Sequence, residues 1–248
     1  MPKTFPDLTE AIGTLAAAVS QCAERCAGVN CGREAGVLPR CLFVEPGTNR
    51  GGVGDLEGGT VVVGLNPGKM KKPEARKVNA LLDAVGKGRD AFSADDWRAY
   101  TDAYYAWMRD TIASKVPYYT LLRLLVRAGG RRGPILWTEI VKCQSKDNES
   151  TANTKRRKGL YRGHQSTVRR CTSGFLVREL DAVPKDWPIL AAGADAFDWL
   201  SANADGRTVV GVPHPSGAAF QFFTLFAPVG LNTDRFEWKN GKWHSAKQ

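Results

Sequence analysis

No stretch of this sequence reaches about 18 consecutive apolar residues, so no membrane-spanning helix is expected. The first residues, Met1-Pro-Lys-Thr4, lack the apolar core of a secretory signal, and the expectation is a cytoplasmic, intracellular protein. No internal repeat is visible, which excludes solenoid and propeller architectures. Acidic residues are the scarcer charge: 25 Asp and Glu stand against 35 Lys and Arg, a net charge of +10. An excess of that sign points to a polyanionic partner, with nucleic acid the first candidate. The six Cys, in a reducing compartment, are not expected to pair as disulfides. They point to metal binding, redox chemistry or burial.

What is present is an ordinary core-forming composition, 43% hydrophobic with seven Trp, over a length that suits one domain with insertions. The whole chain, 1–248, is read as a single domain. Residues 7–27 are expected to be helical, with Asp7 as N-cap and Glu10 completing a capping box. Leu8, Ile12, Leu15, Val19, Cys22 and Cys26 fall on one face of it. Leu42–Val44 reads as a short strand, and residues 45–59 as a Gly-rich loop. Thr60-Val-Val-Val-Gly64 is a β-branched run suited to a central parallel strand.

A helix is expected from about Pro73 to Val85. Another is capped by Ser93 and Asp96, with Trp97, Tyr100, Tyr104, Trp107, Met108 and Ile112 as its packing stripe. Tyr118–Ala128 is a third. Strands are expected at 135–142, 187–191 and 208–211, and helices at 167–181 and 194–201. Residues 144–170 are a basic insertion, and 235–244 a hairpin around an Asn-Gly turn. Strands alternate with helices, so the expected fold is α/β: three layers around a central parallel sheet.

Two loops carry the chemistry. Gly64-Leu-Asn-Pro-Gly68 follows the β-branched strand, and Val212-Pro-His-Pro-Ser-Gly217 follows the last one. Prolines stiffen both, holding Asn66 and His214 on extended backbone at the carboxyl ends of parallel strands, where ligands bind in open α/β sheets. An Asn and a neutral His so placed can hold a water and steady an anionic leaving group.

Together these loops resemble the motifs of the uracil-DNA glycosylase superfamily. The first has the form Gly-x-Asn-Pro-Gly in some of its branches, and the last is His-Pro-Ser in many. The resemblance implies that Asn66 positions the attacking water, that His214 stabilises the departing base, and that Ser216 contacts a phosphate. Gly64 and Leu65 would line the base site. Phe220 or Gln221, in the loop after the His motif, would wedge into the duplex as the base is extruded.

Thr138-Glu-Ile-Val-Lys-Cys143 is similar to Thr-Asn-Val-Val-Lys-Cys of the iron–sulfur branch. That branch also carries a Cys on the following helix, which Cys171 is expected to start here, and a Cys pair near the end of its first helix. Four of Cys22, Cys26, Cys31, Cys143 and Cys171 would hold a structural [4Fe–4S] cluster; zinc accepts the same ligands, and no metal at all is the third alternative. Cys41 is not expected to ligate. The spacings depart from the branch.

So does Glu139, which replaces the Asn that reads uracil. An ionised carboxylate only accepts hydrogen bonds, and the exocyclic amino group of a cytosine-type base is a donor that meets it. The expectation is a monofunctional DNA glycosylase that flips out and excises a C5-modified cytosine of the kind found in hypermodified viral DNA, leaving an abasic site, as host defence. Uracil excision in repair is one alternative, and a catalytically silent nucleic-acid-binding module with a structural metal site another. Lys155, Arg156, Arg157, Lys158 and Arg162, followed by Arg169 and Arg170, have no acid among them and suit phosphate contact. No stacking aromatic follows the first motif, and the chain is expected to be a monomer.

Overall fold

The computed structural model describes residues 2–30, 39, 42–48, 56–65, 67, 70, 72–112, 116–145, 164–215, 236–239 and 242–245. Helix α1 spans Phe5–Ser20. Strand β1 is Val29–Asn30, β2 Phe43–Glu45 and β3 Thr60–Gly64. Helices α2 (Lys72–Asp83), α3 (Ala94–Trp107) and α4 (Pro117–Ala128) follow. Next come β4 (Ile135–Glu139) and β5 (Gln144–Ser145). Helix α5 (Gln165–Cys171) runs through a π turn, Thr172–Leu176, into α6 (Val177–Asp181). Strand β6 (Ile189–Ala192), helix α7 (Ala194–Asn203) and strand β7 (Val209–Val212) complete the main body. A hairpin of β8 (Phe236–Lys239) and β9 (Lys242–Ser245) lies where the Asn-Gly signal placed one.

The fold is mixed α/β. Among the described residues its main sheet has five strands in the order β2-β4-β3-β6-β7, all parallel except β2. Strand β3 sits at the centre, and Val61, Val62 and Val63 are wholly buried, as a β-branched run covered on both faces requires. Its neighbours supply Ile135, Leu136 and Trp137 from β4, and Ile189, Leu190 and Ala191 from β6, to the same core.

Local signals set most of the helices. Ser93 and Asp96 form the expected capping box on α3. Tyr100, Tyr104 and Met108 of its stripe are buried, while Trp97, Trp107 and Ile112 pack half-buried against the core. The stripe is packing, not a cofactor box.

Three expectations need correction. Helix α1 starts earlier and stops earlier than its apolar pattern suggests. Thr4, not Asp7, is the N-cap, and Asp7 is the reciprocal partner of its capping box. The helix ends at Ser20, so Cys22 and Cys26 follow it in irregular backbone and are half-buried rather than on its apolar face. That stretch is drawn instead toward α5, where Glu24 pairs with Arg170. Strand β4 ends at Glu139, short of the expected Lys142, because the chain turns to bury the Lys142 ammonium beneath Glu139. Cys171 closes α5 rather than starting the helix that follows Cys143.

Candidate active site

Strands β3, β4, β6 and β7 run parallel, so their carboxyl ends share one edge of the sheet. Gly64 and Glu139, the last residues of β3 and β4, lie side by side in register. The pairing continues past both strands. The Ile140 N–H donates to the Gly64 carbonyl and the Val141 N–H to that of Leu65, each at 2.9 Å. The backbone leading into the Asn66 loop is thereby held before the loop begins. The loop's far side is held too, since the Met70 N–H donates to the buried Gln144 side chain at 2.8 Å.

Gly64 is where the site becomes tight. A Cβ there would lie 2.1 Å from Glu139 Oε2 and 2.8 Å from the Tyr118 hydroxyl. Only glycine lets the carboxylate and the phenol close over that backbone. Glu139 is 7% exposed. It joins Phe43, Tyr118, Tyr119, Trp137 and Thr138 around a recess too narrow to hold a water molecule. The floor of the recess is rigid, with Phe43 stacked on Trp137 at 6.1 Å and Tyr119 set edge-on to Trp137 at 5.1 Å.

The carboxyl end of β4 is anchored from below. Lys142 Nζ, 1% exposed, donates to Glu179 Oε2 on α6 at 2.7 Å, to Thr138 Oγ1 at 2.6 Å and to the Glu139 carbonyl at 2.5 Å. All three protons of the ammonium are used. Thr138 Oγ1 donates in turn to Glu179 Oε2 at 2.6 Å. A buried pair broken on one side leaves an uncompensated charge. This network therefore fixes where the Glu139 backbone, and so its side chain, can sit.

His214 approaches from β7. Its ring lies 5.2 Å from that of Tyr118, tilted by 32°. Tyr118 thus touches both halves of the site: Gly64 and Glu139 through its hydroxyl end, His214 through its ring. Behind His214 stands Gly193, at φ +98° with its N–H bonded to the Val212 carbonyl at 2.8 Å. Burial pushes the His214 pKa below its usual 6.5, since desolvation disfavours the imidazolium. The ring is neutral at pH 7 and can donate one hydrogen bond and accept another.

The cysteine-bearing segments also converge. Strand β1, just after Cys26, pairs antiparallel with β5, just after Cys143. Thr167 on α5 donates to the Ala27 carbonyl at 2.8 Å, and a Cβ on Gly28 (φ +78°) would meet the His164 imidazole at 2.1 Å. Cys143 and Cys171 are buried, and Cys22 and Cys26 half-buried. Among the described residues no three His, Cys, Asp or Glu are grouped closely enough to hold a metal ion. Cys31 lies outside the described residues.

Several expected site residues lie outside them as well: Asn66, Ser216, Phe220, Gln221, and the basic run Lys155, Arg156, Arg157, Lys158 and Arg162. Within the described part, Gly64, Leu65, Glu139 and His214 are brought to the same sheet edge. Sequence reasoning missed Tyr118, Lys142, Glu179 and Gly193 as parts of the site. Only Lys142 carried a signal, as a cation four residues from Thr138 in a run otherwise apolar enough to be buried. No helix among the described residues is long and apolar enough to cross a membrane. No family model matches the chain, and neither the curated proteins nor the solved structures contain a match to it.

Proposed function

We propose that the chain is a monofunctional DNA glycosylase of the uracil-DNA glycosylase kind, acting on a base with an exocyclic amino group, a modified cytosine first among them. The observation that carries this reading is Tyr118, whose hydroxyl lies with Glu139 over the Gly64 backbone and whose ring packs against His214. A flipped pyrimidine that opens that closed corner would find a carboxylate to accept from its N4 amino group. Tyr118 is an aromatic ring for it to lie against, the role that the segment after the first motif left unfilled. The neutral His214 donates to the oxygen of the departing base.

In the reaction, the C1′–N1 bond breaks and its electron pair leaves with the base. Water, positioned by Asn66, forms the new C1′–O bond, and its proton ends on the base anion. An abasic site remains. Glu139 is a binding group here, not a nucleophile, and no Lys is assigned to a Schiff base.

Four of the five cysteines Cys22, Cys26, Cys31, Cys143 and Cys171 are the proposed ligands of a [4Fe–4S] cluster. The convergence of β1, β5 and α5, which brings the segments that carry these cysteines together, is what supports this reading. The cluster would tie the first helix to the base-reading strand and take no part in bond cleavage. Absorbance near ~400 nm from the purified protein, with iron and sulfide by analysis, checks it.

The glycosylase reading is tested by incubating the protein with DNAs carrying uracil, cytosine and C5-modified cytosines, followed by mass spectrometry of the released bases. Release of a modified cytosine is expected, falling about 100-fold or more in Glu139→Ala, because the amino group loses its acceptor. Uracil release that survives Glu139→Ala, with modified cytosine untouched, would sink the specificity and leave uracil repair. No release from any DNA leaves a binding module. A defence role against viruses with hypermodified DNA follows from the first outcome alone.

A further inference from the structure

Away from the strand ends, a groove of about 680 Å³ runs between α5 with its π turn and α7. Val168 and Trp199 form its apolar part, and Gln165, Arg169, Ser173 and Asn203 its polar walls. Val168 is buried and Trp199 half-buried, packing in part against the core while also lining the groove. Arg169 is exposed, and among the described residues its side chain makes no hydrogen bond or ion pair. Its neighbour Arg170 differs, being held by Glu24. Asn203 is fixed by donating to the Trp199 carbonyl at 2.7 Å, and Ser173 by donating to that of Arg169 at 2.9 Å.

An indole and a guanidinium that line one trough open to water supply the two parts needed by an unpaired nucleotide: an aromatic group for the base and a cation for the phosphate. Paired bases in a duplex have both faces covered by their neighbours, so a Trp on a helix surface cannot stack on them without unstacking. Charge favours the same occupant. The chain carries +10, and the acid-free basic run leads directly in sequence into α5. An acidic peptide would use Arg169 but has no need of the indole.

We propose that the groove between α5 and α7 binds unpaired nucleotides, and that DNA carrying the excised base meets this groove as a single strand. The link to an excised base rests on the glycosylase reading; the binding of unpaired nucleotides does not.

The test is binding of fluorescent oligothymidine of about 12 nucleotides, which offers neither cytosine nor uracil, beside the corresponding dA·dT duplex, at several salt concentrations. Trp199→Ala is expected to weaken oligothymidine binding about tenfold, the scale of one lost stack, while Trp199→Phe keeps most of it. Arg169→Gln, at an exposed position, is expected to weaken it several-fold and to lower the slope of log affinity against log salt by about 0.7. Duplex affinity should change less than about twofold in each. Equal losses on duplex and single strand overturn the proposal. So does unchanged oligothymidine binding in Trp199→Ala and Arg169→Gln, or polyglutamate binding with the same dependence on Trp199. Base release is scored separately. Its absence with groove-dependent oligothymidine binding overturns the glycosylase reading alone; its presence without that binding overturns the groove alone.

Discussion

The two rims of the candidate active site are built in opposite ways. The Glu139 rim ends a strand buried along its full length, and a buried ion pair with every ammonium proton engaged lies beneath it. The His214 rim ends β7, which among the described residues is an edge strand paired with β6 alone, and Val210 on it is 48% exposed. His214 is placed by desolvating contacts, the Tyr118 ring and the glycine behind it. One rim is set by interior electrostatics, which tolerates little displacement. The other is set by packing at an edge, which tolerates more. That division suits the proposed reaction, in which Glu139 would choose the base and His214 would answer the charge that appears as it leaves.

Four changes would break or sharpen this contrast. Lys142→Met should have the largest effect, destabilising the fold by about 3–5 kcal/mol in chemical denaturation, because Glu179 is left charged and buried. The double variant Lys142→Met/Glu179→Leu should recover most of that loss. If the single variant costs under about 1 kcal/mol, the Glu139 rim is not held as described.

Gly64→Ala comes next. Its Cβ would overlap the Glu139 carboxylate, at a cost of about 1–3 kcal/mol, and would move that carboxylate out of the corner. Loss of base release beyond what the lost stability accounts for is the expected readout. Gly193→Ala should cost about 1–2 kcal/mol by forcing a side chain into φ +98°. It should displace His214 while leaving Glu139-dependent base binding in place, and the two can be separated by comparing base release with affinity for an uncleavable substrate.

The smallest effect is a pH dependence. With the folded pKa of His214 below the usual 6.5, the unfolded chain takes up the proton first as the pH falls. Stability from this group is full above about pH 6.5 and is lost as the pH drops through that value toward the folded pKa. The denaturation midpoint of the wild type should therefore fall more steeply over this window than that of His214→Asn. Equal slopes would mean that His214 is not desolvated.

How much of this was legible in the sequence differs along the chain. The β3 run of valines, the Ser93 box and the Asn-Gly hairpin depend on contacts within a few residues, and each appears where its local chemistry placed it. The end of α1 was not legible. Its apolar spacing continues through Cys22 and Cys26, yet the chain leaves the helix after Ser20 to meet α5. The two-residue pairing of β1 with β5 is too short to show a period at all. Tyr118 read as one more apolar position of a helix, since nothing in its neighbours announces the approach of Gly64 from one side and His214 from the other.

The sequence by itself determined the alternation of strands and helices, the central place of β3, and the positive charge. These follow from steric preferences and burial patterns that act over a few residues. Only the tertiary structure decided that Glu139 folds over Gly64 and that Lys142 is buried against Glu179. It alone decided that Tyr118 joins the two rims and that Trp199 and Arg169 share a groove. Each of those contacts joins segments far apart in the chain. Their geometry depends on how whole helices settle on the sheet, which no local preference specifies.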